Sequence, residues 1–510
     1  MKILNAQQIK EVDACSIQMQ NIESIDLMER AATVFYRELL KYIRPSEKVH
    51  IFCGKGNNGG DGLAISRMLL ECGFNVGVII VEHTNNTSKD FSINYDRLLK
   101  LKGFDFIIEA KSVEDLKKIK IDNSTICVDA ILGSGVNKPS VGIIKDTIDF
   151  INQNYRKIFS VDVPSGLFLD KLNDKHDSII RANYTFTFQL PKLSFLFPEN
   201  AEYTGEWKVL DIGLSSECIE KHTTNFFAID KSLIKTFYKK RSDVSAKWDY
   251  GHCLIIAGSY SIRGAAVMCA GSALRSGCGL VSVHSVQSVL NAVIQKYPEC
   301  ILSIDKSSEF ISSVPELKKY NAIAIGSGMG CNYQTADVLR NLLECKESKK
   351  IVIDADGLNC IAQNKEFLKL FSQHQIILTP HIKEFDRIFG TSENHFERLQ
   401  KAMDVAKAYN CVIVLKSAYT AVVLPSQKVY FSIIANSGLA KGGSGDVLTG
   451  LIAGLCARGY NIEEASILGV YIHSMAGYIA IREINKECLL PTDVINYFSE
   501  VFNEIQDEKN

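Results

Sequence analysis

The sequence predicts a two-domain α/β protein built on parallel sheets. Short buried runs such as Val49-His50-Ile51-Phe52-Cys53 stop at glycine-rich polar turns and are followed by helical periodicity, which is how strand–loop–helix units of a doubly wound sheet read. That rhythm fades over residues 215–250, read as a linker plus an entry segment, and restarts at Gly251-His252-Cys253-Leu254-Ile255-Ile256-Ala257-Gly258-Ser259. With 510 residues, 46% of them hydrophobic and 23% charged, the chain has material for two large cores. The expected domains are therefore 1–225 and 226–510.

Bulk properties exclude several classes of function. A net charge of −1 gives no field that would draw nucleic acid or an anionic membrane surface. No apolar run reaches the roughly 18–20 residues of a membrane span. The opening Met1-Lys2-Ile3-Leu4-Asn5-Ala6-Gln7-Gln8 has no apolar signal core. The 15 cysteines are odd in number and form no CxxC pair, so neither a zinc cage nor a redox pair is expected. Buried reduced thiols in a cytoplasmic, homo-oligomeric protein acting on small molecules are the expectation.

In chain order, residues 5–20 and 23–43 read as amphipathic helices, the second with Leu27, Met28, Ala31, Ala32, Phe35 and Leu39 at helical spacing. The strand 49–53 ends in Gly54-Lys55-Gly56-Asn57-Asn58-Gly59-Gly60-Asp61-Gly62, with a helix from Leu63 to Leu70. This loop is neither GxGxxG nor a P-loop, and its polarity is unusual. Strands are expected at 75–82, 104–109, 125–132, 157–163 and 184–189. Two of their ends carry chemistry: Asp129 followed by the loop Gly133-Ser134-Gly135-Val136-Asn137-Lys138-Pro139, and Ser160-Val161-Asp162-Val163-Pro164-Ser165-Gly166. Each loop alone fits a turn with local side-chain caps. On one sheet edge, Asn58, Asp129, Asp162 and Ser165 would offer hard oxygen ligands to a cation, or an acid/base pair.

Together these three motifs resemble the NAD(P)HX epimerase domain over about residues 1–215. Leu27-Met28-Glu29-Arg30-Ala31 is similar to that family's N-terminal helix, with Arg30 where Asn is usual. The resemblance implies a Rossmann-like sheet and substrate contacts at Asn57, Asn58, Gly59, Gly60, Asp61, at residues 133–139 and at Asp162. It also implies a potassium ion held by Asn58, Asp129 and Ser165. Asp162 is the candidate acid/base group by position, with Lys138 as helper.

In the second half, Gly264 to Gly277 reads as a small-residue helix, and strands are expected at 280–284, 322–325, 351–353, 376–379 and 412–415. Their ends are polar or glycine-rich: Gly326-Ser327-Gly328-Met329-Gly330, Asp354-Ala355-Asp356, Thr379-Pro380-His381, and Lys416-Ser417-Ala418-Tyr419-Thr420, which opens a hairpin. The hairpin leads to Asn436-Ser437-Gly438-Leu439-Ala440-Lys441-Gly442-Gly443-Ser444-Gly445-Asp446 and a helix over 447–455. Glycines and a helix start suit an anion. Asp446 would be repelled by phosphate, so it suits a base that takes a proton from an attacking hydroxyl. A glycine turn with Asp446 as helix cap reads equally well from this stretch alone.

From about residue 240 onward the order of motifs resembles the ribokinase-like superfamily, an α/β sandwich, and within it the ADP- or ATP-dependent NAD(P)HX dehydratase. The resemblance implies an adenine nucleotide, with magnesium, held by Lys416 to Thr420 and Asn436 to Gly445. It implies substrate contacts at Ala265, Gly328, His381, Ile382, Lys383, Glu384, Phe385, Asp386, Arg387 and Asp446. The chain departs from the pattern at Ala246-Lys247-Trp248, Lys383, Ser417 and Lys441. Lys441 is read as an added phosphate contact.

Both halves then imply one substrate, hydrated NADH or NADPH. One half would interconvert the epimers. The other would dehydrate the S form by phosphorylating the C6 hydroxyl and expelling phosphate. The alternative is a ribokinase-like kinase for a vitamin precursor with a nucleotide-binding scaffold domain.

Overall fold

A computed structural model describes residues 1–101 and 106–507. The chain divides into two compact units, Lys2–Thr224 and Asn225–Asn510, Met1 belonging with the second.

The first unit is a seven-stranded sheet of β1 (Lys48–Cys53), β2 (Asn75–Val81), β3 (Ile107–Ala110), β4 (Ile126–Ala130), β5 (Ile158–Val161), β6 (Tyr184–Phe188) and β7 (Glu206–Leu210). The strand order is β3-β2-β1-β4-β5-β6-β7 and every pairing is parallel. The order reverses between β1 and β4, the place where doubly wound sheets open a crevice beyond their carboxyl ends. β1, apart from Lys48, and β4 are buried along their length, as strands covered on both faces are. Of the strand expected at 104–109, residues 104 and 105 lie outside the described residues.

The glycine-rich stretch after β1 differs from the expected loop. The helix begins at Asn57 and runs to Glu71, so residues 57–62 form its first turns. A Cβ on Gly62 would stand 2.7 Å from Ala130 Cβ and 2.8 Å from Cys53 Sγ. Glycine tolerates this helical position because it lets the helix lie directly on β1 and β4.

The second unit has ten strands: β8 (Phe226–Ile229), β9 (His252–Ile256), β10 (Leu280–Ser285), β11 (Ile301–Ile304), β12 (Ala322–Ile325), β13 (Lys350–Ile353), β14 (Gln375–Leu378), β15 (Val412–Leu415), β16 (Ala421–Val423) and β17 (Val429–Ser432). Their order is β11-β10-β9-β12-β13-β14-β15-β16-β17-β8, antiparallel only around β16. The linker expected over 215–250 is largely structured. It contains helices at Ser216–Glu220 and Lys231–Phe237, and β8 closes the second sheet by pairing with β17. Two apolar helices, Ser444–Ala457 and Ile462–Ala480, fill the core on one face. Gly450 and Gly454 allow the first to touch the helix Gly264–Arg275, since a Cβ on Gly450 would meet the Cys269 carbonyl oxygen at 2.1 Å.

The expectation of reduced thiols throughout fails at one pair. Cys15 and Cys218 form a disulfide with Cα atoms 5.9 Å apart. They are 203 residues apart and come together where the first helix, Ala6–Gln20, packs near Ser216–Glu220. No local spacing could have signalled it.

Candidate functional sites

In the first unit, the loops after β1, β4 and β5 meet at the carboxyl edge of the sheet. Asp129, at the end of β4, is fully buried and accepts hydrogen bonds from Ser165 Oγ (2.5 Å), Ser165 N (2.9 Å) and Ser160 Oγ (2.8 Å). Burial still holds its carboxyl above the usual carboxylate range despite those donors. Asn58 donates Nδ2 to the Leu132 carbonyl at 3.0 Å, and Ser165 Oγ accepts from Leu132 N at 2.8 Å. Asn58, Asp129 and Ser165 therefore gather around one backbone corner. One carboxylate with amide, hydroxyl and carbonyl oxygens is a hard-oxygen donor set for a cation.

A second cluster lies beside it. A cavity of about 70 Å³ is bordered by Ile9, Val12, Asp13, Ser134, Asp162, Gln189 and Lys192, among others. Asp162 sits at the end of β5 with φ +61°, a left-handed conformation that non-glycine residues rarely adopt. Its Oδ1 accepts from Thr187 Oγ1 (3.0 Å) and Phe188 N (3.1 Å) and pairs with Lys192 Nζ at 3.2 Å. Lys192 is 1% exposed and also donates to the carbonyls of Phe188 and Leu190. Lys138, the lysine expected to help, lies exposed on its loop with Asn137 and Pro139. Asp61 is buried within its helix, and burial followed by the charge of Asp162 pushes its carboxyl well up. Asn57 is exposed, Gly59 and Gly60 are buried, and Gly133 lies against the Asn58 side chain. The loop carrying Gly135 and Val136 runs under the first helix, where a Cβ on Gly135 would be 3.4 Å from Lys10 Nζ. Asp13 and Lys192 escaped the sequence reading because each sits in a segment whose pattern speaks only of packing.

The second unit holds a cavity of about 820 Å³, bordered by Asp354, His381, Glu384, Lys416, Ser417, Ala418, Thr420, Asn436, Ser437, residues 439–446, His473 and Ser474. Asp446 lies in the first turn of Ser444–Ala457, whose cap is Gly443 at φ +103°. Asp446 is therefore not the cap. Burial pushes its carboxyl up to about 6, against a Ser327 hydrogen bond and the Lys416 charge. Lys416 is paired in the core: its Nζ is 2.7 Å from Asp354 Oδ1, and Asp354 Oδ2 accepts from Thr449 Oγ1 at 2.7 Å. Burial alone would raise the Asp354 carboxyl, but the Lys416 ammonium holds it below the ordinary value.

His381 caps the helix Ile382–Phe389. Its Nδ1 accepts from Glu384 N, and Glu384 Oε2 accepts from His381 N at 2.8 Å, so both side chains stand at the cavity rim. The neighbours named with them behave differently. Phe385 is fully buried against Phe389, Asp386 is engaged by Arg398 at 2.8 and 2.9 Å, and Arg387 bonds Asn359. Helical spacing turns Phe385 into the core, and Ile382 and Lys383 do not border the cavity. Ala265 and Gly328 adjoin one another, since a Cβ on Gly328 would be 3.0 Å from Ala265 Cβ, and neither borders the cavity. Gly438 is packed against Leu489, and neither it nor Tyr419 borders the cavity. Lys441 Nζ donates to the Glu487 carbonyl at 2.6 Å.

Three buried polar atoms at this cavity have no hydrogen-bond partner among the described residues: Asn436 Nδ2, Ser444 Oγ and His473 Nε2. Buried polar groups are seldom left unpaired, and these three belong to residues of the cavity wall. His473 and Ser474, on Ile462–Ala480, and Thr449 were missed by sequence reading. Their only signal is polarity inside otherwise apolar helices.

A family model described as NAD(P)H-hydrate dehydratase matches residues 253–499, and one described as YjeF-related protein N-terminus matches residues 24–194. The chain is 30% identical over 525 residues to the bifunctional NAD(P)H-hydrate repair enzyme of Moorella thermoacetica, covering 100% of this chain and 98% of that one. It is 31% identical to the enzyme of the same description from Coxiella burnetii over 506 residues, covering 97% and 98%. Among solved structures, the ADP/ATP-dependent NAD(P)H-hydrate dehydratase from Bacillus subtilis, co-crystallised with ATP/Mg2+, aligns with 56% of this chain and all of that one at 25% identity and a TM-score of 0.49. With full-length relatives at this identity and both halves matched in order, the chain belongs to the bifunctional NAD(P)H-hydrate repair enzymes.

Proposed function

We propose that the first unit interconverts the epimers of hydrated NADH and NADPH at the Asp162 cavity, and that the second dehydrates the S epimer with ADP or ATP. The observation that carries the second assignment is Asp446. It is an acid in the first turn of a glycine-capped helix, at a cavity of nucleotide size, with its carboxyl raised to about 6. A carboxylate with that affinity for protons is ionised near neutrality, yet basic enough to take the proton of a hydroxyl attacking phosphate. Hydroxide leaves a carbon poorly and phosphate leaves well, so phosphorylating the C6 hydroxyl makes its elimination feasible.

The nucleotide would lie between the residues 416–420 and 436–445, most of which border the cavity. Magnesium arriving with it would neutralise phosphate charge, and Glu384 borders the cavity as a hard oxygen donor. In the first unit, Asn58, Asp129 and Ser165 would hold potassium, whose charge would compensate the buried Asp129 carboxylate. We place the enzyme in the cytoplasm as a homo-oligomer.

The test is incubation of the purified protein with mixed epimers of hydrated NADH, with ADP, with ATP and with neither nucleotide. Recovery of dihydronicotinamide absorbance beyond the S fraction, only when nucleotide is present, supports both activities. Recovery that stops at the S fraction removes the epimerase assignment. Accumulation of a phosphorylated product without recovery removes the dehydratase assignment.

A further inference from the structure

The Asp162 cavity has a wall that none of the three sheet-edge loops supplies. The first helix, Ala6–Gln20, crosses it with Ile9, Val12 and Asp13 on the facing side. Ile9 and Asp13 are one helical turn apart, so this face is apolar except for one carboxyl. Opposite stand Asp162, fixed by Thr187, Phe188 and Lys192, and Ser134 of the loop after β4. Two carboxyls therefore share a small enclosed space with one buried ammonium.

Two nearby carboxyls rarely both ionise in such a setting, and their environments decide which keeps its proton. Lys192 is 3.2 Å from Asp162, and two further donors reach the same oxygen, so the negative charge belongs on Asp162. Asp13 has the opposite surroundings. Burial first, and then the charge of Asp162, push its carboxyl up to about 6, with Lys192 opposing. Asp61, on the helix Asn57–Glu71, also has its carboxyl pushed well up, by burial first and then by the charges of Asp162 and Asp13. One acid and one base thus face the same cavity from different elements.

We propose that Asp13 is the general acid of epimerisation and Asp162 the matching base. This rests on the reading of the first unit as the epimerase. In the hydrated substrate, C6 carries a hydroxyl and is bonded to ring nitrogen N1. Protonated Asp13 gives its proton to that hydroxyl. The C6–O bond breaks with its electron pair on oxygen, water departs, and the N1 lone pair forms a planar C6=N1 iminium. A water on the other face then attacks C6, its lone pair forming the new C6–O bond, while Asp162 takes the surplus proton. Return of that proton from Asp162 to Asp13 restores the enzyme. Composition is unchanged and only the face bearing oxygen differs. A cavity of about 70 Å³ suits the reacting ring edge with its departing and incoming waters, the rest of the dinucleotide lying outside.

The experiment uses the full-length protein and the R epimer of hydrated NADH, with conversion to the S epimer followed directly by chromatography. Asp13→Asn should lower kcat for epimerisation by about 10²–10⁴-fold with KM changed little, the usual weight of one acid/base group. Asp13→Glu should recover part of the loss. Wild-type kcat/KM should fall as pH rises past the Asp13 titration, and Asp13→Asn should lose that limb. An unaltered melting profile would show that the variant folds. Wild-type kcat in a folded Asp13→Asn, or an unchanged pH profile, overturns the assignment. If the wild-type protein itself fails to interconvert the epimers, the epimerase reading falls first, so the two failures are distinguishable.

Discussion

Both units start a helix from a glycine-rich turn that carries an acid, and they use those glycines for opposite purposes. After β1, a Cβ on Gly54 would sit 2.0 Å from the Ile131 carbonyl oxygen, and one on Gly59 would sit 1.8 Å from that of Gly54. The missing side chains there let backbone lie on backbone. At the start of the helix Ser444–Ala457, a Cβ on Gly442 would meet nothing within 4 Å, and one on Gly445 would face only Lys416 Nζ at 3.2 Å and Asp354 Oδ2 at 3.5 Å. Gly443 between them packs against Met268, but the missing side chains of Gly442 and Gly445 leave room at the cavity. The acids divide in the same way: Asp61 is enclosed within its helix, whereas Asp446 opens onto the 820 Å³ space. A glycine run before an acid therefore has two meanings, told apart by what stands where the Cβ would go.

The largest expected effect breaks the first turn. Gly54→Ala cannot be relieved by a rotamer change, because its neighbour is a main-chain carbonyl. It should cost the first unit about 3 kcal/mol or more and abolish epimerisation while nucleotide-dependent dehydration persists. Separate melting transitions and the two activities would report this. An alanine variant that epimerises normally would refute the packing role of that turn.

In the second turn the acid matters more than the packing. Asp446→Asn should lower dehydration by about 10²–10⁴-fold with epimerisation intact, since a carboxamide cannot accept the proton. The pH dependence sharpens this. A base works when ionised, so wild-type kcat/KM should fall about tenfold per pH unit below about 6, where burial has lifted the Asp446 titration. A rate that stays flat well below that pH would remove Asp446 as the base.

An effect of comparable size, confined to the second unit, tests the lysine beside Gly445. Lys416→Ala would strand Asp354, 1% exposed, without its ion-pair partner, at a cost of about 3–5 kcal/mol in stability. Adding Asp354→Asn should recover part of that, because a neutral amide is cheaper to bury. Equal stability of Lys416→Ala and wild type by denaturant midpoint would mean that the ion pair is not structural.

What was legible in the sequence follows from locality. Short apolar runs ending in glycine or acid gave the ends of β1, β4, β5 and β13 because both signals sit side by side in the chain. β8 was not legible, since its four residues pair with β17 some two hundred positions later. The Cys15–Cys218 pair is invisible for the same reason. Asp446 was readable from its own glycine loop, but its protein partners Ser327, Asp354 and Lys416 come from three other strand ends. Contiguity also misled: naming 382–387 as one contact segment ignored the helical turn that carries Phe385 into the core. Asp13 shows the converse, a functional position written in a stretch whose period announces only a surface helix.

The smallest expected effect is the most direct test of how the two turns differ. Gly442→Ala places a methyl group where no atom lies within 4 Å, and its backbone does not need the left-handed region that Gly443 occupies. Stability should therefore stay within about 0.5 kcal/mol of wild type, as for an unobtrusive surface change. Gly442 borders the cavity that the nucleotide would fill, so any effect belongs in the nucleotide KM, at less than about tenfold, with kcat preserved because Asp446 is untouched. A loss of stability as large as that of Gly54→Ala would mean that both turns are packing devices after all. The cavity beside Gly442 would then owe nothing to its lack of a side chain.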